Sequence, residues 1–293
     1  MHLGSCTKAF TATLAAVLVA DGAIKWDSTV WDVLGKSNPT VNQAWREVTL
    51  EQLLRHRGGA PADPNATDWN AAFSCKGSPR ECRTAFVTAM LGRKTAQPSG
   101  LYVYSNQGYA LAGHMLEVAA GEDYEALLMR RVLAPLGITH AGFGPPSKSV
   151  AASPKGHDKL GAPLDIDNPS AIAPAGTLHM PLGDWAKFVA FHLGASPPKE
   201  LEGAARLLAT LHAPSKQAPH EALGWATATR EWGGAVLTHT GSNTKWYCAA
   251  WLSPEKGFAV LAATNQGGDR AERACDEACA QMIRALPGES GAK

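Results

Sequence analysis

The chain has 293 residues, of which 45% are hydrophobic, enough to bury a substantial core. Its 27 Lys and Arg residues balance 26 Asp and Glu residues, so the charge gives no indication of nucleic acid, an anionic membrane surface or an acidic tail. The composition therefore predicts a globular protein that acts on a small molecule or a peptide, with no nucleic-acid partner and no integral membrane segment.

The six cysteines contain no Cys-x-x-Cys pair, and no pair of histidines has a metal-binding spacing, so neither a metal site nor a cofactor is predicted. Cys75 and Cys82 flank a short loop containing Pro and Gly. They would be bridged in an oxidising compartment or remain unpaired thiols, and the pattern leaves both possibilities open. Cys275 and Cys279 lie one helical turn apart and are predicted to be buried packing residues.

Residues 5–20 are apolar almost all round a helix, which predicts an element buried between other layers. Lys8 followed by the apolar run 9–20 also has the pattern of a secretory signal, although the run is too short to span a bilayer. The pattern alone does not decide between these two interpretations.

The middle of the chain is predicted to be mainly helical. Thr49 and Gln52 form a capping box at the start of one short helix. With that helix, the predicted helical segments here are 50–56, 83–91, 108–120 and 124–133. Residues 145–174 are rich in Pro, Gly, Ser and Asp, which predicts a long surface excursion before a helix at 184–193.

The last part of the chain changes to short β-type runs, predicted at 224–229, 235–240, 246–252 and 258–264. A final amphipathic helix covers 271–286. This order predicts the α+β class, an α/β sandwich with an antiparallel sheet flanked by helices and a mostly helical second domain. The predicted sheet domain comprises residues 1–35 and 175–293, and the helical domain comprises residues 36–174.

A Ser-x-x-Lys spacing arises by chance about once in a chain of this length, and here it occurs five times, at residues 5–8, 196–199, 242–245, 253–256 and 290–293. The second encloses two prolines and cannot be helical. The third follows a strand, where this offset sends the two side chains to opposite faces. Only Ser5 and Lys8 begin a helical pattern, so that they share a face. A buried, neutral Lys8 can take the proton of Ser5, making Ser5 the candidate nucleophile.

Two further segments carry suitable chemistry. Tyr104-Ser105-Asn106 precedes a predicted helix, and a phenol close to a cationic lysine ionises more easily and can act as a general base. The amide of Asn106 can orient a substrate carbonyl. His239-Thr240-Gly241-Ser242 ends a β run, where the glycine lets a substrate approach the strand edge and the next backbone N–H can complete an oxyanion hole.

In this order the motifs resemble those of class C β-lactamases, D-alanyl-D-alanine carboxypeptidases and related esterases. The matching segments are Ser5-Cys6-Thr7-Lys8, Tyr104-Ser105-Asn106 and His239-Thr240-Gly241, with similar flanking stretches at 48–56, 135–138 and 175–179. The resemblance covers nearly the whole chain. It implies a β-lactamase/transpeptidase-like fold, a buried nucleophile helix at 5–20 rather than a signal peptide, and a periplasmic or secreted location.

The resemblance also implies the role of each site residue. Ser5 would form the acyl-enzyme, and Lys8 and Tyr104 would share proton transfer in acylation and deacylation. Substrate binding is assigned to Asn106, His239, Thr240 and Gly241. The backbone N–H groups of Ser5 and Ser242 would form the oxyanion hole. The implied activity is that of a serine hydrolase acting on an ester, a β-lactam or a D-amino-acid amide.

Two departures from the family pattern alter these expectations. His239 stands where β-lactamases usually carry a lysine, and a largely neutral imidazole should bind a carboxylate less well, which favours esters or unusual amides. Only four residues precede Ser5, so the usual N-terminal helix and first strands are expected to be missing. The exposed sheet edge would then favour a homodimer, and an N-terminal extension would raise the melting temperature.

Two alternatives remain open. One is a catalytically inactive, family-like scaffold or truncated fragment with a binding role. The other is a secreted helical binding protein whose first twenty residues are removed. An α/β-hydrolase is disfavoured because the chain has no Gly-x-Ser-x-Gly. The histidines other than His239, including His2 and His56, show no shared spacing and are assigned no chemistry.

Overall fold

A computed structural model describes residues 1–150 and 152–286 of the chain. The α-helices are α1 (Thr7–Ala20), α2 (Val30–Leu34), α3 (Gln43–Arg46), α4 (Leu50–Leu54), α5 (Ala66–Ser74), α6 (Pro79–Leu91), α7 (Asn106–Ala120), α8 (Tyr124–Leu128), α9 (Pro146–Ser149), α10 (Ala173–Gly176), α11 (Leu182–His192), α12 (Glu202–Ala205), α13 (Leu208–His212) and α14 (Asp269–Arg284). The strands are β1 (Gly142–Phe143), β2 (Gly156–His157), β3 (Pro163–Leu164), β4 (Leu178–His179), β5 (Ala226–Arg230), β6 (Gly234–Ser242), β7 (Tyr247–Ser253) and β8 (Phe258–Thr264).

Strands β5 to β8 form an antiparallel sheet in sequence order, and β1 with β4 and β2 with β3 form two small antiparallel pairs. Strand β7 is buried on both faces because its alternate side chains enter two separate cores. The side chains of Cys248, Ala250 and Leu252 join the large core around α1. Those of Tyr247 and Ala249 join a smaller core beneath α14. The sheet is therefore covered by helices on both sides, as the α+β prediction requires.

Helix α14 packs on this sheet through one stripe of side chains, Ala271, Cys275, Cys279 and Ile283. These residues recur every fourth position and so lie on one face of the helix. The thiols of Cys275 and Cys279 are buried and unbridged. Their prediction as packing residues is confirmed.

Helix α1 lies at the centre of the molecule, and its residues from Thr7 to Leu18 are all buried. The ring of Phe10 stacks on Phe188 of α11 with centroids 3.6 Å apart. Its three buried threonines keep their hydroxyls satisfied, since Thr7, Thr11 and Thr13 donate to the carbonyls of Gly4, Pro174 and Ala9 respectively. The prediction of a buried helix is confirmed. No helix among the described residues is long and apolar enough to cross a membrane.

The predicted capping box at Thr49 and Gln52 is present at the start of α4. The helix ends at Leu54, two residues before the predicted end. His56 has a left-handed backbone, with φ +56°, which an α-helix cannot accommodate. The ring of His56 is instead held by the backbone N–H of Ser105, which donates to Nδ1 over 3.0 Å.

Cys75 and Cys82 form a disulfide, which resolves the alternative that the sequence left open. The bridge joins the end of α5 to the first turn of α6. Ser78 begins α6 with a capping box completed by Glu81. The loop between the two helices is thus closed by a covalent bond and a reciprocal cap.

The prediction of a surface excursion over all of 145–174 is wrong at its C-terminal end. Residues Ala171, Ile172 and Ala173 are buried. The next residue, Pro174, packs against α7 at Gly113, where an added Cβ would lie 2.2 Å from Cγ of Pro174. The absence of a side chain at Gly113 lets this segment approach the helix, and the segment carries Ala175 toward Lys8 of α1.

A buried ionic cluster connects α6, α7 and α8. Nε of Arg83 donates to Glu117 over 3.1 Å, and its Nη2 donates to Glu125 over 2.9 Å. Nη1 of Arg83 also donates to the Ser170 carbonyl over 3.2 Å. The backbone N–H of Tyr124 donates to Glu117 over 3.0 Å. The cluster therefore fixes the helical region to the segment that leads to Ala175.

Candidate active site

The turn before α1 is pressed against the end of β6. Residues Gly4–Cys6 form a single 3-10 turn, and Gly4 has a left-handed φ of +47°. A Cβ on Gly4 would lie 2.4 Å from the backbone nitrogen of Ser242. A Cβ on Gly241 would lie 1.9 Å from the Leu3 carbonyl oxygen. The two glycines therefore permit a close backbone contact that brings Ser5 beside Ser242.

The side chain of Lys8 is fully buried and makes three hydrogen bonds. Its Nζ lies 3.0 Å from Oγ of Ser5, 2.8 Å from Oδ1 of Asn106 and 2.9 Å from the Ala175 carbonyl oxygen. Burial lowers the pKa of Lys8 to about 7. The two carbonyl oxygens can only accept, so a neutral Lys8 gives them its two N–H bonds and turns its lone pair toward Ser5. This arrangement can remove the proton of the serine hydroxyl.

Tyr104 lies next to the same amine, with the centre of its ring 4.7 Å from Nζ of Lys8. The sequence predicted easier ionisation of this phenol. That prediction is wrong, because burial raises the pKa of Tyr104 well above its ordinary value, although a hydrogen bond with Ser5 acts in the opposite direction. Lys8 has itself a lowered pKa, so it supplies only part of a positive charge at neutral pH. The phenol remains protonated and can donate a proton.

Asn106 reaches the site from the first turn of α7, which Ser105 caps by accepting from the backbone N–H of Gly108 over 3.1 Å. Because Oδ1 of Asn106 accepts from Lys8, its amide NH₂ remains as a donor. This NH₂ group has no hydrogen-bond partner within residues 1–150 and 152–286. It can therefore hold a substrate oxygen.

His239 and Thr240 lie on β6 immediately before the glycine that contacts the nucleophile turn. Burial lowers the pKa of His239 to about 4, so the imidazole is neutral at pH 7. Its Nδ1 lies 2.6 Å from the Thr240 carbonyl oxygen and donates to it. The expectation of an uncharged group at this position agrees with this environment. Every residue that the sequence singled out as a candidate thus lies in one region around Ser5.

Sequence reasoning missed His56, whose ring lies against Tyr104 with centroids 4.3 Å apart. Nδ1 of His56 accepts from Ser105, so a neutral ring carries its proton on Nε2. Burial and the nearby Lys8 keep the pKa of His56 well below its ordinary value. His56 therefore supports both Tyr104 and the turn that leads to Asn106. Its partners are distant in sequence, and no local pattern indicates them.

A second support that the sequence did not reveal involves His2 and Asp167. Nδ1 of the buried His2 accepts from the backbone N–H of Gly4 over 3.0 Å, so Nε2 carries the proton that is donated to Asp167 over 2.7 Å. Asp167 also accepts from the amide of Asn243 over 2.9 Å. The three side chains hold the turn containing Ser5 next to the end of β6.

For the acylation of Ser5 that the resemblance implies, replacing Gly241 by alanine should reduce the rate by about 100-fold, the usual cost of losing an oxyanion contact. The added methyl cannot fit 1.9 Å from the Leu3 carbonyl oxygen, so the strand and the nucleophile turn must separate. The matched control is Gly183→Ala on α11, where nothing lies within 4 Å of the new methyl. Acylation followed by mass spectrometry tests this, and equal rates in the two variants would contradict it.

The sequence and the fold of this chain are both similar to those of known proteins. A sequence model of the family described as Beta-lactamase matches residues 1–281. The chain is 27% identical over 285 residues to penicillin-binding protein 4 of Amycolatopsis lactamdurans, covering 90% of this chain and 71% of that protein. It is 28% identical over 206 residues to the unguisins hydrolase ungD of Aspergillus violaceofuscus (strain CBS 115571), which covers 64% of this chain and 35% of the hydrolase. The chain thus spans about a third of the length of that fungal relative.

Solved structures show the same fold. A class C β-lactamase superposes with a TM-score of 0.82 at 17% identity, covering 98% of this chain and 82% of that one. The D-alanine carboxypeptidase AmpC from Burkholderia cenocepacia superposes with a TM-score of 0.80 at 18% identity, covering 98% of this chain and 84% of the other. The fold is therefore β-lactamase/transpeptidase-like.

Proposed function

Since the chain belongs to the Beta-lactamase family, we propose that it is a serine hydrolase in which Ser5 forms an acyl-enzyme with an ester or amide substrate. Membership of this family supports a hydrolase role. The observation that carries the proposal is the buried amine of Lys8, 3.0 Å from Oγ of Ser5 and held by two carbonyl acceptors. If Ser5 served only to cap helix α1, a buried amine beside its hydroxyl would not be needed.

This geometry supports the following acylation reaction. Lys8 accepts the proton of the Ser5 hydroxyl as Oγ bonds to the substrate carbonyl carbon. The backbone N–H groups of Ser5 and Ser242 stabilise the negative charge that develops on the carbonyl oxygen. When the intermediate collapses, the phenol of Tyr104 donates a proton to the leaving group and regains one from Lys8. Water then attacks the acyl-enzyme by the reverse proton transfers and releases the acid.

The substrate binds between Asn106 and the end of β6. The NH₂ group of Asn106 and the exposed Thr240 supply polar contacts, and Gly241 leaves room for the substrate backbone. Because His239 is neutral at pH 7, the site has no fixed positive charge there for a substrate carboxylate. Esters and amides without that carboxylate are favoured over β-lactams. The alternative is a family-like scaffold that binds without turnover.

Mass spectrometry of the intact and the digested protein tests the proposal with a panel of nitrocefin, short-chain p-nitrophenyl esters and D-amino-acid peptides. We expect a covalent adduct on the peptide containing Ser5 for the esters, and release of p-nitrophenol above the rate of Ser5→Ala. The variant Ser196→Ala, from a second Ser-x-x-Lys segment, is the matched control and should retain the adduct. The absence of any adduct or turnover across the panel would favour the inactive scaffold.

The rate of acylation will depend on pH through Lys8. Burial lowers the pKa of Lys8 to about 7, and only the neutral amine accepts the proton of Ser5. We expect kcat/KM to fall about tenfold per unit as the pH drops below 7, and to level off above that value. Initial rates with a p-nitrophenyl ester, corrected for hydrolysis without enzyme, measure this. A rate that is constant or rises between about pH 7 and pH 5 would contradict Lys8 as the base.

A periplasmic or secreted location is part of the proposal. The disulfide between Cys75 and Cys82 supports an oxidising compartment, because such bridges are rare where thiols are kept reduced. Association of two chains through an exposed sheet edge stays a prediction.

A further inference from the structure

Glu221 lies beside the candidate active site, in the segment that leads into β5. It forms an isolated bridge with Ala226, which in turn pairs with Thr238 on β6, one residue before His239. The same segment is pressed against the nucleophile helix, since a Cβ on Gly224 would lie 2.7 Å from Cα of Ala9. The backbone that carries Glu221 is therefore held beside β6 and against α1.

This carboxylate is poorly satisfied for a group whose side chain is only 9% exposed. The hydroxyl of Tyr102 donates to Oε2 over 3.3 Å, a long hydrogen bond. Nε2 of the buried His56 lies 3.9 Å from Oε1, beyond hydrogen-bond distance, and has no hydrogen-bond partner among the residues that the structure describes. Across the described parts of the chain, no Lys or Arg side chain forms an ion pair with Glu221. Burial raises the pKa of Glu221 to about 7, so the carboxyl group is only partly ionised at neutral pH. A bound cation would stabilise its ionised form and supply the partner that the carboxylate lacks.

The surroundings of Glu221 suit a positively charged group. Tyr102 and Tyr104 are 45% and 37% exposed, so both phenol rings border the cleft. Aromatic faces next to a carboxylate attract ammonium and guanidinium groups. An ionised Glu221 also raises the pKa of Lys8, which works against the neutral amine that acylation needs. A cation bound at Glu221 would offset that effect.

We infer that Glu221 is a specificity-determining residue that binds an ammonium or guanidinium group on the substrate, with Tyr102 and Tyr104 beside it. The inference rests on the proposed function, because the bound group belongs to a molecule whose carbonyl carbon is attacked by Ser5. It narrows the substrates to cationic esters and amides, such as those with a free amine.

Two pairs of p-nitrophenyl esters test this inference at two chain lengths. Alanyl and 2-methylpropanoyl esters differ only in that an ammonium replaces a methyl, and so do 6-aminohexanoyl and heptanoyl esters. The quantity measured is the ratio of kcat/KM for the charged ester to that for its neutral partner. Losses that affect both esters cancel in this ratio, so a merely structural role for Glu221 would not change it.

For at least one pair, we expect the ratio in Glu221→Gln to fall by about tenfold to a hundredfold, the range for loss of a close charge pair. Glu221→Asp, which keeps the charge, should retain more of the preference. A ratio unchanged within about threefold for both pairs, with hydrolysis still dependent on Ser5, would overturn this inference alone. If the wild-type chain hydrolyses none of the four esters through Ser5, the inference fails, and the proposed function fails with it only when the wider panel also gives no adduct on Ser5.

Discussion

Replacing Lys8 by methionine will lower the rate of acylation of Ser5 by about 1,000-fold. Methionine has a similar length and suits a buried position, so the helix should remain folded. The variant lacks the amine that lies 3.0 Å from Oγ of Ser5, and the phenol of Tyr104, which also bonds to Ser5, has a raised pKa and stays protonated. The serine hydroxyl then attacks as a weak, protonated nucleophile.

Time-resolved mass spectrometry of the acyl-enzyme measures this effect with any ester that labels the wild-type chain. Lys199→Met is the matched control, because Lys199 has the same spacing from a serine and is exposed. Its acylation rate should equal that of the wild type. If Lys8→Met acylates within about tenfold of the wild-type rate while remaining folded, Lys8 is not the base.

Replacing Glu117 by alanine will lower the free energy of unfolding by about 3 kcal/mol, because it leaves a buried guanidinium short of a partner. Arg83 and Glu117 are both fully buried, and among the described residues the polar partners left to Arg83 are the half-buried Glu125 and the Ser170 carbonyl. The loss should also loosen the segment that carries Ala175 to Lys8. Urea denaturation of both proteins measures the difference.

The matched control is Glu122→Ala, which removes an ion pair between Glu122 and the exposed Arg130. Water and salt screen that pair, so its removal should have a much smaller effect. Equal stabilities of the two variants would contradict the role given to the buried cluster.

The same ionic cluster makes the free energy of unfolding depend on pH in the acidic range. Burial alone would raise the pKa of Glu117, but hydrogen bonds from His114 and Arg83 lower it to about 2. Its contribution is therefore complete above the pKa of an unfolded glutamate, about 4.3, and is lost as the pH falls toward 2. The wild-type chain should lose more stability over this range than Glu117→Ala.

The parts of the fold that depend on local pattern could be predicted from the sequence. The apolar run of α1, the spacing of Cys275 and Cys279 and the capping box at Thr49 each follow from the geometry of a single helix. The site residues could be proposed because the three motifs occur in one order along the chain. The geometry of Ser5 and Lys8 likewise follows from positions on one helical face.

The supports of the site could not be predicted in this way. His56 acts on a residue 49 positions away, and His2 acts on one 165 positions away. The raised pKa of Tyr104 and the buried position of Ala171 depend on which surfaces meet after folding. Local sequence contains no information on such contacts. The sequence around a histidine in a surface loop therefore does not differ from the sequence around one that packs against Tyr104, as His56 does.

Strand β7 connects the candidate active site at the end of β6 to the core beneath α14. Its pairing with β6 sets Ser242 opposite Tyr247, while its alternate side chains fit two cores of different shape. A slip of one residue would exchange those two sets and also displace the backbone N–H of Ser242. Substitutions in the core between α14 and the sheet that disturb this alignment should lower the rate of acylation, although they lie outside the cleft. Such variants would be folded but inactive.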